Sequence, residues 1–391
     1  MQLVQLCTYG AAIGFLLFVS LAYHISSNGR TSNKAVAEAD YLVNDPSQQQ
    51  FFENKNLSTP YCNCSSPFSS LNYNQTLVEH GEYAPLFVPE SLQSMPLDIL
   101  DKIAANTIDD SVIVTVANYP MRKELYNWME WMREAQEENF LVFCIDPKLY
   151  FHLVVAGHEE KAVIVPDDWF VSDLELMRNS TTPLLDSVRL SHMKTWILQQ
   201  LAYLKDTHTM MLDVNQVILR PRTREYIQTL LNMRPDTHLI ATQDSSDQHV
   251  LNTGLTMIRG GDSSKQLKRL LANTIQIQES QQHLHQQEAL NLAMVQMELN
   301  VKTGIIVLLD MIHFPNGHQY FESKRLKGIE PFIVHANHKT GESRIKLLQE
   351  HQFWKPIDDR VDGISRQVDE IYAKRKQYLD KLKGEPDQAI S

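Results

Sequence analysis

The feature that most constrains this chain is an alternation of short apolar runs with helical stretches. The runs are 111–118, 140–146, 162–165 and 209–213. Continuous apolar character over so few residues fits strands covered on both faces. Between the first two runs Leu125, Trp128, Met129 and Met132 recur at helical spacing. Before the fourth, Val188, Met193, Trp196, Ile197, Gln200, Leu201 and Leu204 mark a long amphipathic helix. Strands alternating with helices imply βαβ units, hence an α/β fold with a mostly parallel central sheet.

The run Thr209-Met210-Met211-Leu212 ends in Asp213-Val214-Asn215, and a second apolar run, Val217-Ile218-Leu219, leads to Arg220-Pro221. In open α/β sheets the ligand crevice lies beyond the carboxyl ends of the strands, where Asp213 is expected. A carboxylate with an amide oxygen two residues on suits a hard divalent cation held against a diphosphate. The plainer alternative is a strand ending in a turn, for which Asp and Asn are ordinary residues.

The chain has 391 residues, 43% of them hydrophobic, enough for one large core or two smaller ones. Its net charge of −11, with no Lys/Arg cluster, speaks against nucleic acid as a partner. From Val4 to Ile25 the sequence is uncharged and largely apolar, about one bilayer span at helical rise. The positive start of a cleaved signal peptide is missing, although Ser20-Leu21-Ala22 has small residues at plausible cleavage positions. The nearest basic residues, Arg30 and Lys34, lie on the C-terminal side, which gives no charge support to an N-terminus in the cytosol. The expectation is a single-pass signal anchor at 1–25, the alternative being secretion after cleavage. Either way the bulk of the chain lies in the secretory lumen. Acceptor patterns for N-glycosylation at Asn56, Asn63, Asn74 and Asn179 agree. Cys62 and Cys64 are one residue apart and are open to a local disulfide or to pairing between chains. Cys144 falls in a strand, where a buried thiol is the default.

Residues 26–108 are mixed polar sequence without periodicity and read as a stem, part of which packs through Phe87, Val88, Leu92 and Leu97. The globular domain is expected over 109–358. Beyond it, 359–391 carries an amphipathic helix with Ile364, Val368, Ile371, Tyr372 and Leu379, a packing element or the face of a homodimer. The Gln-rich stretch 276–287, with His283-Leu284-His285, reads as an exposed helical face.

Set in order, several landmarks resemble the nucleotide-diphospho-sugar transferases, and within them glycosyltransferase family 77. They are Val116-Ala117-Asn118 with Asn127-Trp128, then Lys194, Asp213-Val214-Asn215 and Leu251-Asn252-Thr253-Gly254. Gln287-Glu288-Ala289-Leu290-Asn291, Phe314-Pro315-Asn316-Gly317, Val334-His335-Ala336-Asn337 and Gly341 follow. The resemblance spans about Val112 to Trp354. It implies a GT-A fold (a Rossmann-like nucleotide-sugar-binding domain), a luminal Golgi membrane enzyme, a nucleotide-sugar donor (a UDP-sugar first), a glycan or glycoprotein acceptor, usually Mn²⁺, and retention of anomeric configuration.

Breaking the bond between a sugar and a diphosphate passes through an oxocarbenium-like transition state while negative charge grows on the leaving phosphate. Asp213 is accordingly expected to hold the metal or the ribose, Asn215 the metal through its amide oxygen, and His335 the metal or the diphosphate, with His338 the competing imidazole. Asn118 is assigned to the nucleoside, and Lys194 to the diphosphate or to a carboxylate. Asp244 and Gln287 are placed at the reacting sugar, and Asn291 in the sugar-binding wall. Asn252 and Gly254 are expected to let the backbone approach the sugar, and Asn337 and Gly341 to touch the donor. The chain departs from the family in having Asn215 for a second Asp, Gln286 for an Asp, and Arg344 near a usual Lys. An active transferase is expected; a binding or scaffold descendant is the alternative.

Overall fold

The computed structural model describes residues 77–78, 86–87, 95–166, 169, 183–244, 249–261, 264–323, 326 and 328–384. The proposed anchor, all four glycosylation patterns, Cys7, Cys62 and Cys64 lie outside them. No helix among the described residues is long and apolar enough to cross a membrane.

The chain alternates as the apolar runs require. Helix α1 (Leu97–Asn106) leads into β1 (Ser111–Ala117), followed by α2 (Arg122–Glu134), β2 (Phe140–Cys144), α3 (Pro147–Val155) and β3 (Ala162–Ile164). Helix α4 (Pro183–Leu201) then returns the chain to β4 (His208–Leu212), after which come β5 (Gln216–Ile218) and α5 (Thr223–Asn232). Next are β6 (Leu239–Gln243), β7 (Leu251–Ile258), α6 (Lys265–Ser280), α7 (Gln286–Gln296) and β8 (Ile306–Leu309). The last elements are β9 (Ile333–His335), α8 (Gly341–Glu350) and α9 (Asp358–Gly384).

Seven strands form one sheet in the order β8-β6-β7-β4-β1-β2-β3. Every pairing is parallel except the two made by β7, which runs antiparallel to β4 and β6. Side chains alternate between two cores: Val112, Val114 and Val116 of β1 enter one, Ile113 and Ala117 the other. The first core takes Ile99 and Ile103 of α1, Met193 and Ile197 of α4, and Leu290 of α7. The second takes Leu125, Trp128 and Met132 of α2, Leu149 of α3 and Val361 of α9. The sheet is thus covered on both faces, which is why its strands lack polar alternation.

The chain runs outward from β1 through β2 to β3, then crosses back by α4 to β4 on the other side of β1. Strand order therefore reverses between β1 and β4, and a crevice opens beyond their carboxyl ends. Asn118 follows β1 and Asp213 follows β4, so both stand at that switch point.

Four expectations need correction. The run Val217–Leu219 does not extend the main sheet, because the chain turns at Asp213–Asn215, where Gln216 N donates to Asp213 O at 3.1 Å. Strand β5 pairs instead with β9, antiparallel, as a separate two-stranded ribbon. Leu251–Gly254, expected to lie just ahead of a strand, instead begins β7. The stem prediction fails at its end: α1 buries Ile99, Leu100 and Ile103 in the main core, while Leu97, expected to pack, is exposed. The Gln-rich stretch is not one exposed helical face. It spans the end of α6, a turn and the start of α7, and Leu284 is buried with its carbonyl accepting from His192 Nε2 at 3.0 Å.

Helix α9 packs its apolar stripe, including Val361 and Val368, on its own domain. A buried polar clasp holds it there: His152 of α3 meets Tyr126 OH at 3.2 Å and Ser365 Oγ at 3.1 Å, and Arg122 Nε donates to the same oxygen at 3.0 Å. Val361 and Val368 are therefore taken, while Ile371 of the expected stripe stays exposed; nothing among the described residues supports the homodimer expectation.

Candidate active site

At the switch point four side chains from three parts of the chain meet, two of them from the turn after β4. Asp213 sits one residue past β4, and its N–H donates to Gly254 O at 2.8 Å, extending the ladder with β7. Lys194, on α4 and buried, places Nζ 2.5 Å from Asp213 Oδ1. Its alternative reading as a solvated helix residue is excluded by that burial. His335, the last residue of β9, reaches Asn215 Oδ1 with Nε2 at 3.1 Å, and the same nitrogen is 3.7 Å from Asp213 Oδ2. Backbone bonds hold the imidazole in place: His335 N donates to Pro315 O at 3.1 Å and Ala336 N to Asn215 O at 3.1 Å.

Gly254 has a different role from the one expected. A Cβ at this position would lie 2.1 Å from His335 Cε1, so the space a side chain would fill is taken by the imidazole rather than by a sugar. His338, the competing imidazole, packs instead against Gly317, stacks on Phe321 with ring centroids 5.6 Å apart, and faces Glu322 at 3.5 Å.

A second group lines the neighbouring wall. Asn252 donates through Nδ2 to Asp244 Oδ1 at 2.9 Å and accepts from Gly254 N at 2.9 Å. Asn316 Nδ2 donates to the backbone oxygen of Asp244 at 2.6 Å. Gln287 Oε1 accepts from Thr253 N at 3.4 Å, a long bond that leaves the amide nitrogen uncommitted. Asn291, expected in the sugar-binding wall, is committed to the backbone, accepting from Leu251 N at 3.0 Å and donating to Leu251 O at 2.9 Å.

The remaining expected residues have structural partners. Asn118 accepts from Met121 N at 3.3 Å and caps the turn into α2. Asn337 Oδ1 accepts from Gly317 N at 3.0 Å. Gly341 opens α8 at φ +52°, a conformation that costs glycine least. Asp146, the carboxylate ending the second apolar run, caps α3 through Leu149 N at 2.8 Å and accepts from Tyr119 N at 2.6 Å.

Sequence reasoning missed Glu124 and left Arg344 without a role. Arg344 of α8 donates through Nε to Lys339 O at 2.9 Å, and its Nη1 lies 3.9 Å from Glu124 Oε1. Burial lowers its pKa while Glu124 and Asp213 hold its charge in place, so it shares the field of the Asp213 cluster. Burial also raises the Glu124 carboxyl above its usual range. In sequence, Glu124 is one more acid in a first helical turn, where acids favour the helix dipole and rarely mean more.

The donors expected to hold a divalent cation come together without forming a cation site. Of Asp213, Asn215 and His335 only Asp213 carries charge, and Lys194 already neutralises it; affinity for a hard cation follows ligand charge. Asn215 Oδ1 can only accept, so His335 Nε2 carries the proton of the neutral ring and turns it toward the two oxygens. Moving that proton to Nδ1 would free Nε2 as a ligand. Nδ1, however, is buried against Gly254 with no hydrogen-bond partner, whereas a ligating imidazole needs an acceptor there. Among the described residues, no three His, Cys, Asp or Glu side chains gather to hold a metal.

Several known proteins share features with the chain. Among solved structures, the galactosyltransferase LgtC in complex with donor and acceptor sugar analogs aligns over 66% of this chain and 95% of its own, at 12% identity and TM-score 0.41. Mouse xyloside xylosyltransferase 1, in its apo form, aligns over 59% and 99%, at 11% identity and TM-score 0.36. No curated protein sequence matches the chain. A family model described as nucleotide-diphospho-sugar transferase matches residues 138–348, more than half of the chain. That segment takes in Lys194, Asp213, Asn215, Asp244, Asn252, His335 and Arg344, and the chain belongs to the nucleotide-diphospho-sugar transferase family.

Proposed function

We propose that this transferase takes its sugar from a UDP-sugar and places it, with retention of anomeric configuration, on a glycan or glycoprotein in the Golgi lumen. The observation that carries the reading is the meeting of Lys194, Asp213, Asn215 and His335 at the switch point between β1 and β4. Sugar transfer breaks the bond between the anomeric carbon and the diphosphate, building positive charge on the ring and negative charge on the leaving oxygen. In this reading the ammonium of Lys194, the guanidinium of Arg344 and the imidazole N–H of His335 face the diphosphate. On the sugar side Asp244, fixed by Asn252, supplies a carboxylate for the ring, and Gln287 offers its free amide to a hydroxyl. The apolar segment Val4–Ile25 and the glycosylation patterns that follow it support a luminal domain held by one N-terminal span.

The test is turnover by the purified full chain against a panel of nucleotide sugars, read as nucleoside diphosphate released, with the product anomer assigned by NMR. Asp213→Ala should abolish turnover while circular dichroism stays unchanged. Absence of both turnover and nucleotide binding would leave a scaffold protein instead.

A further inference from the structure

We propose that the donor's diphosphate is held by the protein's own cations, Lys194 and Arg344, so that nucleotide binds without a divalent ion. The inference rests on the transferase reading and concerns the charge at that same site. Its ground is the mismatch between the donor set and a metal: the carboxylate is paired, the second acid is an amide, and the imidazole turns a proton, not a lone pair, to the centre. A diphosphate still needs positive charge beside it.

Two cations, one buried and one half-buried, have donors to spare. Lys194 makes one hydrogen bond, to Asp213, and the side chain is 10% exposed, so the remaining ammonium protons lack a protein partner among the described residues. Arg344, 13% exposed, uses only Nε; its two terminal amino groups make no hydrogen bond among the described residues. Cations this little exposed keep donors unfilled at a cost, and a planar guanidinium fork matches phosphate oxygens bidentately while an ammonium meets them as a point charge; the Asp213 carboxylate, bonded to Lys194, also acts on the Arg344 charge. Asp213 then serves to hold Lys194 in place, and Glu124 does the same for Arg344.

The experiment measures binding of UDP and GDP to the full chain by calorimetry, in EDTA and again with Mn²⁺. The expected result is a Kd in EDTA within about twofold of that with Mn²⁺. Lys194→Gln and Arg344→Gln should each weaken binding about tenfold or more, as loss of a charge-assisted bond does, with Lys194→Arg and Arg344→Lys recovering part of it. Asn215→Asp, which restores a second acid, should make Mn²⁺ strengthen binding about tenfold. Thermal melts of each variant separate lost binding from lost fold. Binding that appears only with Mn²⁺, or folded Gln variants that bind as the parent does, overturns the inference and leaves the transferase reading intact. Absence of binding in both buffers overturns both.

Discussion

The contact between Gly254 and His335 gives the sharpest test of how this site is built. Replacing Gly254 with Ala puts a methyl 2.1 Å from Cε1, 2.6 Å from Nδ1 and 2.7 Å from Nε2 of His335. Carbon atoms in contact lie about 3.5–4.0 Å apart, so the ring must retreat by more than about 1 Å. It has little room, being 6% exposed and anchored by its own backbone hydrogen bond in β9. Retreat breaks the 3.1 Å bond to Asn215. Overpacking costs about 1–3 kcal/mol and the lost hydrogen bond about 0.5–1.5, so Gly254→Ala should destabilise by about 2–4 kcal/mol. Calorimetric melting should then show Tm falling by roughly 5–15 °C, using the relation for domains of this order of size. The decisive measurement is a double-mutant cycle. In a His335→Ala background the ring is gone, and Gly254→Ala should cost close to nothing, giving a coupling of about 2 kcal/mol or more. Additive effects would refute the reasoning, because the glycine would then be needed for something other than the imidazole. Gly363→Ala, in α9 with open space at its Cβ, is the control and should raise stability by about 0.5–1 kcal/mol.

Three further outcomes follow from the same contacts. Ser365→Ala leaves His152 Nε2 buried without its partner and should cost about 1–3 kcal/mol in urea unfolding, with turnover at saturating donor unchanged. Burial, with Arg122 adding to it, lowers the His152 pKa from 6.5 to about 4. The unfolded chain therefore takes up a proton below pH 6.5 that the folded chain refuses until about pH 4, so this contribution is complete above 6.5 and lost on acidification. The loss is on the order of 3 kcal/mol, and His152→Gln should shrink the difference between unfolding midpoints at pH 4.5 and pH 7. Asn291→Leu removes both side-chain bonds to Leu251 and should cost about 1–3 kcal/mol. Hydrogen exchange should rise first at the start of β7, and protection unchanged at Leu251 would argue against that role.

The sheet was legible in the sequence because its strands are buried on both faces and so appear as unbroken apolar runs. Val112 through Ala117 need no knowledge of their neighbours to be recognised as a strand, and the spacing of Leu125, Trp128 and Met132 needs only the helical period. What the sequence hid depends on partners far along the chain. Val217 and Ile218 look like any other apolar strand, and only the turn at Asp213–Asn215 and the distant β9 divert them into a separate ribbon. Leu251–Gly254 begins a strand although Asn and Gly disfavour strands locally. Asn291 compensates by bonding the Leu251 backbone from α7, and His335 fills the void beside the glycine.

The same distinction separates the types of site residue from their roles. Strand-end position was enough to single out Asp213, and the ordered motifs were enough to single out Lys194 and His335. Neither could show that Lys194 points at Asp213 rather than at a ligand, since α4 and β4 meet only after the crossover has folded. Nor could they show which imidazole serves. His335 and His338 are three residues apart with similar surroundings in sequence, yet one lies in a strand facing Asn215 and the other lies beyond it, against Gly317. The Asn215 substitution gains its meaning from that choice. An amide oxygen fixes the proton on His335 Nε2, and Lys194 occupies Asp213 Oδ1 while keeping further ammonium protons to offer. On the proposal made above, charge for a diphosphate comes from side chains that the cluster positions rather than from an ion that it binds.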